Sequence, residues 1–405
     1  MQTQTIAILG YGQRGKIYAD YALNHPDEFK VSAIVDTDLS RRELAASRHD
    51  CPIFADYKDF LRANILADIV AVATQDSEHK EHAIACMEKG YDLLLEKPIA
   101  NNIEDCEAIY EASVKYNRKV IICHVLRYTP FYRKIKNIID SGLLGDIMTV
   151  NMSENVGYYH QAHSFVRGPW RNSEQACPMI VAKCCHDLDI LRWLIGEKCE
   201  EVSSMGSLSF FKEENAPQGS TQYCSDCQCS DCVYRAKTLY DGYKWMRGYF
   251  CSDVENDDDA NEKLRHSQYD RCVFRCDNNV VDHEVSIFRF AKNITAMHTM
   301  TAFSKEIYRD IKVHGTKAEL IGIMEKNMLE VRIFGGETIT YDFSKVDISG
   351  NHGGGDNGLM HAVYLERNGE LTEGTTYVDV SIDSHRMAFG AERSRLMGNT
   401  LKFKG

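Results

Sequence analysis

A strand-like run that ends in spaced glycines, TIAILGYGQRG, restricts the first third of this chain to very few folds. Gly10, Gly12 and Gly15 follow directly on the apolar run and open a helical pattern. The three glycines serve different physical needs, namely a tight turn, close approach of a diphosphate, and close packing of helix on strand. Gln13 and Arg14 lie in the same turn and lead into a helix N-terminus. Its free N–H groups and positive dipole end suit a dinucleotide. Asp36 closes the next apolar run, VSAIVD, about twenty residues further on. A carboxylate there accepts from both ribose hydroxyls and repels a 2′-phosphate, which favours NAD over NADP. Arg41 and Arg42 stand nearby and soften that preference.

The alternation continues beyond the fingerprint. ADIVAVAT, YDLLLEKP and KVIICH read as further strands. Helical patterns fall at Gln13 to His25, Leu39 to Arg48, His79 to Lys89 and in NIEDCEAIYEASVKYN. Strand and helix in alternation mean βαβ units around a parallel sheet. After about Val125 the texture changes. PFYRKIKNIIDSGLLG is helical, and strands then dominate from DIMTVNMSENV to ETITYDF, which implies a mostly antiparallel sheet. The expected architecture is α/β: a dinucleotide-binding Rossmann domain over 1–125 and a substrate-binding α/β domain over 126–405. A cysteine-rich insertion at about 212–270 interrupts the second domain.

Bulk properties exclude some functions. A formal charge of −12 offers no basic field for nucleic acid. No apolar run reaches the ~18 residues of a membrane span, and the N-terminus lacks a signal-peptide pattern. A cytoplasmic location is expected, with the 15 cysteines reduced. Most of them, such as Cys86, Cys106 and Cys123, stand singly in apolar settings and read as core filler. Four do not, because CSDCQCSDC gathers Cys224, Cys227, Cys229 and Cys232. Paired C-x2-C spacing is that of zinc knuckles. One residue between Cys227 and Cys229 is too short for two regular knuckles. Cys224, Cys227 and Cys232 with a fourth ligand from Cys272 or Cys276 make a more comfortable structural zinc site. An iron–sulfur cluster uses the same ligands, and free thiols are the bland alternative.

Four further stretches carry candidate chemistry. Glu96, Lys97 and Pro98 end a strand at the sheet edge where ligands sit in open α/β folds. VAKCCHDLDILRWLIG offers His186 as a base and Lys183 one helical turn away, with its leucines as a core stripe. Cys184 and Cys185 read there as close-packed filler. HSFVRGPWRN gathers His163, Arg167, Trp170 and Arg171, either a clamp for a polyhydroxylated ring or a polar loop. NHGGGDNGLM, with His352 and Asp356, reads as a flexible loop over substrate or an ordinary interdomain loop.

The fingerprint, EKP, GLLGDI and HDLDILRWLIG, taken in order, resemble the glucose-fructose oxidoreductase/inositol dehydrogenase/rhizopine-catabolism (Gfo/Idh/MocA) family. The resemblance covers the chain apart from the insertion. It implies an open sheet in the second domain, a homo-oligomer, and hydride transfer between a nicotinamide and a secondary alcohol of a sugar or cyclitol. By the same resemblance Lys97 matches the catalytic lysine and His186 the proton-transferring histidine. Thr74 and His79 match the loop beneath the cofactor, and Arg127 a position near nicotinamide and substrate. Many relatives place an aspartate four residues before the histidine, where this chain has Ala182. Three functions follow: NAD-dependent oxidation of a sugar, glycoside or cyclitol hydroxyl; redox-assisted glycoside cleavage with a retained NAD; or a non-catalytic nicotinamide-responsive sensor. The first two need a base and a lysine, and the third needs neither.

Overall fold

The computed structural model describes residues 1–251, 254–343, 352–370, 372 and 374–403. Asp253, which opens the acidic stretch DVENDDDANE, and Asn351 of the glycine-rich loop lie outside them. The first sheet contains β1 (Gln4–Leu9), β2 (Phe29–Val35), β3 (Ile53–Phe54), β4 (Ile69–Val72), β5 (Asp92–Leu95) and β6 (Val120–Ile122). Its order is β3-β2-β1-β4-β5-β6 and every pair is parallel, which is the doubly wound pattern. The strands are buried on both faces, so they read as continuous apolar runs. The two-residue β3 was not legible, because Ile53 and Phe54 show no alternation.

The second sheet contains β7 (Ile147–Asn155), β8 (Cys199–Ser207), β9 (His283–Phe290), β10 (Thr295–Thr301), β11 (Tyr308–Gly315), β12 (Ala318–Ile323), β13 (Met328–Ile333), β14 (Thr338–Asp342) and β15 (Leu401–Lys402). Its order is β14-β13-β12-β11-β7-β10-β9-β8-β15, antiparallel except for the pair β7 and β10. One face packs Phe288, Ile311, Val313 and Leu320 against three helices. Those are Pro130–Asp140, Cys185–Ile195 and Val378–Met397. The other face leaves Val285, Ile287, Met297 and Met205 exposed on adjacent strands.

Local signals set the helix ends. Asp38, Asn102 and Thr129 each cap a helix by accepting from a backbone N–H. Gly196, at φ 75°, closes the helix that begins at Cys185. The stretch read as a loop at His352 is instead a short turn followed by a helix, Gly355–Arg367. Its Leu359, Met360 and Val363 fill the core of the first sheet beside Ile6 and Ile8. Val378 and Ile382 of the last helix join the opposite face, beside Val120 and Ile122.

The insertion between β8 and β9 has a buried core. Phe211, Tyr234, Leu239, Tyr240, Val273 and Phe274 form its own buried cluster. Its acidic run continues into the helix Asp257–Leu264, with three aspartates at the positive end of the dipole.

Candidate active site

The three fingerprint glycines separate by what surrounds them. A β-carbon on Gly10, at φ +94°, would lie 2.5 Å from the Ala73 carbonyl oxygen. One on Gly15 would lie 1.9 Å from the Gly10 oxygen, so helix and strand touch there. One on Gly12 would meet nothing nearer than the Arg41 guanidinium at 3.8 Å. Gly12 also caps the helix Gln13–Asn24 without any side-chain bond, which leaves its first N–H groups free for an anion. Gly12→Ala should therefore fold normally yet bind NAD poorly, while Gly15→Ala should lower the melting temperature. Thermal melts and NADH titration of both variants check this.

Asp36 is buried at the end of β2. It accepts from the backbone N–H of Tyr11 at 2.7 Å and of Asp38 at 2.8 Å. Arg41 lies 3.6 Å from the same carboxylate, so both signs of charge meet at the ribose position. Arg42 is spent on the carbonyls of Asp36 and Thr37.

His79 is buried and works as a clip. Its Nδ1 lies 2.9 Å from the Pro98 oxygen and its Nε2 3.3 Å from the Thr74 oxygen. It thereby pins the turn after β4 against the Lys97–Pro98 turn after β5. Thr74 bonds His82 through its hydroxyl at 2.9 Å. Glu96 is buried and ion-paired with Arg14 at 2.6 Å, and it also accepts from the Tyr18 hydroxyl. Arg14 reaches on to Asp356 at 2.7 Å, and Asp356 to His352 Nδ1 at 2.9 Å. The histidine and arginine hold the Asp356 carboxyl down to about 2 against the upward push of burial. One polar chain thus links the fingerprint, the strand before Lys97 and the helix after His352.

Lys97 and His186 are brought together. The Lys97 ammonium donates to the Ala182 carbonyl at 3.0 Å. The imidazole of His186 is buried, and its Nδ1 has no partner among the described residues. Burial drives its pKa well below the usual range, and the charge of Lys97 pushes the same way. His124 and His352 flank the ring at centroid distances of 5.7 and 6.0 Å. At position 182 it is thus a main-chain oxygen that holds the lysine.

Lys183 does not share a helix face with His186. The helix is broken at Lys183 and Cys184 and restarts at Cys185. Lys183 pairs with the buried Glu154 of β7 at 3.2 Å. Arg309, directly across the sheet on β11, binds Glu154 at 2.6 Å and Asp187 at 2.8 Å. Glu154 is held below the usual carboxylate range by these two cations. Burial raises Asp187, and the charge of Glu154 adds to that. Arg127 is likewise committed, as a bidentate pair with Asp189 at 2.6 Å for both bonds.

Two family models divide the chain between them. The first, described as an oxidoreductase family NAD-binding Rossmann fold, matches residues 4–124. The second, the C-terminal alpha/beta domain of the same oxidoreductase family, matches residues 136–388. The chain belongs to the Gfo/Idh/MocA oxidoreductase family. YteT of Bacillus subtilis, named as an oxidoreductase, is 25% identical over 83% of this chain and 82% of its own length. Inositol 2-dehydrogenase 2 of Saccharopolyspora erythraea is 29% identical, over 48% of this chain and 55% of that enzyme. Among solved structures, levoglucosan dehydrogenase with NADH and levoglucosan aligns with a TM-score of 0.74 at 16% identity, covering 100% of both chains. The WlbA dehydrogenase of Bordetella pertussis with NADH and UDP-GlcNAcA aligns at 0.73 and 16%, covering 100% of this chain and 99% of that one. At such identities the structural likeness speaks for the fold.

His163, Arg167, Trp170 and Arg171 are not brought together as a clamp. Residues Gln161–Arg167 form a π-helical stretch whose polar groups turn into the insertion. His163 is buried, bonds the Tyr240 hydroxyl at 3.0 Å and stacks on Tyr269. Arg167 is buried among insertion residues, and Arg171 pairs with Asp277 at 2.9 Å. Of the four, Trp170 reaches the catalytic side, where its indole bonds Asp76. Asp76 went unnoticed in the sequence, since nothing local distinguishes it in ATQDSEH. One of its carboxylate oxygens is buried without a partner among the described residues, and the Lys97 ammonium and His79 lie beside it. The insertion also reaches the nucleotide side: a β-carbon on Gly248 would sit 3.9 Å from the Gln13 side-chain nitrogen.

Among the described residues, none of the 15 cysteines is in a disulfide. The one group of three metal-capable atoms within 4.8 Å of one another, among those residues, is Cys184, Asp187 and His298. The insertion sulfurs do not meet that spacing. No helix of the described residues is long and apolar enough to cross a membrane.

Proposed function

We propose that this oxidoreductase moves a hydride between NAD and a CHOH group of a sugar, glycoside or cyclitol. The observation that carries the reading is the meeting of Lys97 with His186, at the carboxyl edge of a sheet whose fingerprint leaves room at Gly12. The names of the relatives, which act on inositol and levoglucosan, support the substrate class.

Gly10 to Gly15 would hold the diphosphate, and Asp36 the adenosine ribose. Bound NAD would supply the hydride acceptor. His186, kept neutral by burial, is suited to take the proton of a substrate hydroxyl on its unpartnered nitrogen. Lys97, fixed by the Ala182 carbonyl, stabilises the oxygen as it becomes alkoxide-like. Asp76 and Trp170 stand beside the lysine and contribute one carboxylate and one aromatic face for a polyol. Lys183 serves this centre indirectly, through the buried charge of Glu154. Arg127 acts through its fixed pair with Asp189.

A second reading is transient oxidation followed by elimination of a glycosidic substituent. The His352–Asp356 pair favours it, because elimination needs a second proton-transfer group and His352 stands 6.0 Å from His186, ring to ring. Incubation with free sugars, cyclitols and aryl glycosides separates the two. Net NADH formation supports dehydrogenation, and aglycone release without net NADH supports cleavage. Neither product across the panel would sink both readings.

Asp36→Ala should weaken NAD binding and narrow the preference over NADP, since Arg41 then meets the 2′-position without an opposing carboxylate. Paired titrations with NADH and NADPH measure it, and an unchanged ratio would move ribose recognition elsewhere. The exposed Val285, Ile287, Met297 and Met205 fit a homo-oligomer through the open sheet face.

A further inference from the structure

Arg167 poses a charge problem that the catalytic centre does not resolve. Its side chain is fully buried. Its partners are uncharged: the Arg271 carbonyl at 2.6 Å, the Tyr234 carbonyl at 2.7 Å and the Cys224 sulfur at 3.6 Å. Its Nη1 has no partner among the described residues. A buried guanidinium without counter-charge is strongly destabilising, so the surroundings have to supply an anion. Among the described residues its partners include no carboxylate, but they do include a cysteine.

Four cysteines of this region are arranged as acceptors. Cys224 receives the Arg167 guanidinium. Cys227 receives the backbone N–H of Cys229 at 3.4 Å. Cys232 receives the N–H of Tyr234, and Cys272 that of Phe274. Three of the four donors therefore stand two residues beyond their sulfur, a turn that wraps a backbone dipole around the sulfur. Hydrogen bonds from a surrounding shell of this kind orient metal ligands and stabilise their charge. Cys229 and Cys276 differ in degree. Their sulfurs lie against the carbonyls of Gln218 at 3.5 Å and Cys272 at 3.3 Å, closer than Cys224 lies to the Arg271 carbonyl at 4.0 Å. The two cysteine-bearing stretches are adjacent, joined by a bridge between Tyr223 and Arg271 and by the Cys272 N–H on the Gln222 carbonyl at 2.9 Å.

We propose that Cys224, Cys227, Cys232 and Cys272 bind one zinc ion as thiolates, with Arg167 as the buried counter-charge of the complex. Zinc and four thiolates carry two net negative charges, which a single guanidinium partly offsets. Four protein ligands close the coordination sphere, so the site is structural rather than catalytic. No three of these sulfurs lie within 4.8 Å of one another among the described residues, so the site requires binding to draw the two stretches together. The buried trio of Cys184, Asp187 and His298 is a weaker candidate, because Arg309 already occupies Asp187. Zinc fastens both ends of the segment that carries Gly248 to Gln13, so the metal braces a wall of the nucleotide cleft.

Metal analysis of the full chain, purified without chelator, should find about one zinc per chain. Cys272→Ser should reduce this below about a tenth, while Cys229→Ser and Cys276→Ser leave it unchanged. Arg167→Met should weaken zinc by about 10–100-fold in competition with a chromophoric chelator. Because a ligand variant can fail to fold, the unaltered protein is also loaded with Co2+. Four thiolates give intense tetrahedral bands with sulfur-to-cobalt charge transfer. Zinc below about a tenth of an equivalent together with a weak octahedral cobalt spectrum would overturn the site. So would stoichiometric iron with iron–sulfur absorption, or zinc lost from Cys276→Ser but kept by Cys272→Ser.

Discussion

Lys97→Met is expected to lower kcat by about 10²–10⁴-fold while NADH binds with nearly unchanged affinity. Methionine keeps the length of the stem but removes the ammonium that donates to the Ala182 carbonyl. The pH profile should move as well. Lys97 is one of the charges that depress His186, after burial itself. Without that charge the imidazole binds a proton more readily, so the acidic limb of kcat/KM should shift to higher pH. Steady-state kinetics across pH and an NADH fluorescence titration measure both effects. A variant with the parent's turnover would remove Lys97 from the chemistry.

Arg309→Met should destabilise the fold by about 3–5 kcal/mol, because it leaves Glu154 and Asp187 buried without their shared cation. Lys183 alone then faces two carboxylates. Both of their pKa values should rise in the folded variant, so that it takes up protons more readily than its unfolded chain. Stability therefore increases on acidification relative to the parent, and the deficit should be smaller at about pH 5 than at about pH 8. Urea unfolding at the two pH values measures it. An equal deficit at both would mean that packing, not charge, dominates the loss.

The contrast between legible and illegible residues follows the range of the interactions involved. The glycines at 10, 12 and 15 act within one turn, so their spacing alone exposes their roles. Lys97 and His186 are read through motifs that each lie on one element. Arg167 was misplaced because its partners come from 224–276, far along the chain, and a sequence does not show which way a π-helical stretch turns. The helix at Gly355 was hidden by three glycines at its start, which read as a loop until Leu359, Met360 and Val363 are seen facing a core. Lys183 differs for another reason: regular helical spacing does not carry across Cys184, where the helix is interrupted. Asp76 gave no signal, since its importance comes only from the groups that fold around it.

The return of the C-terminal helices to the first sheet sets an order of events during synthesis. The Ile122 N–H donates to the Thr376 carbonyl at 2.8 Å, Ile121 bridges to Tyr377, and Leu359 and Met360 close one face of the sheet. A ribosome that has released the first 125 residues has therefore delivered every strand of the nucleotide half but not its cover. That half waits with an apolar face open until more than two hundred further residues have emerged. Completion of the nucleotide half is thereby tied to residues far along the chain, so a change at Leu359 or Met360 would be felt at the fingerprint sheet.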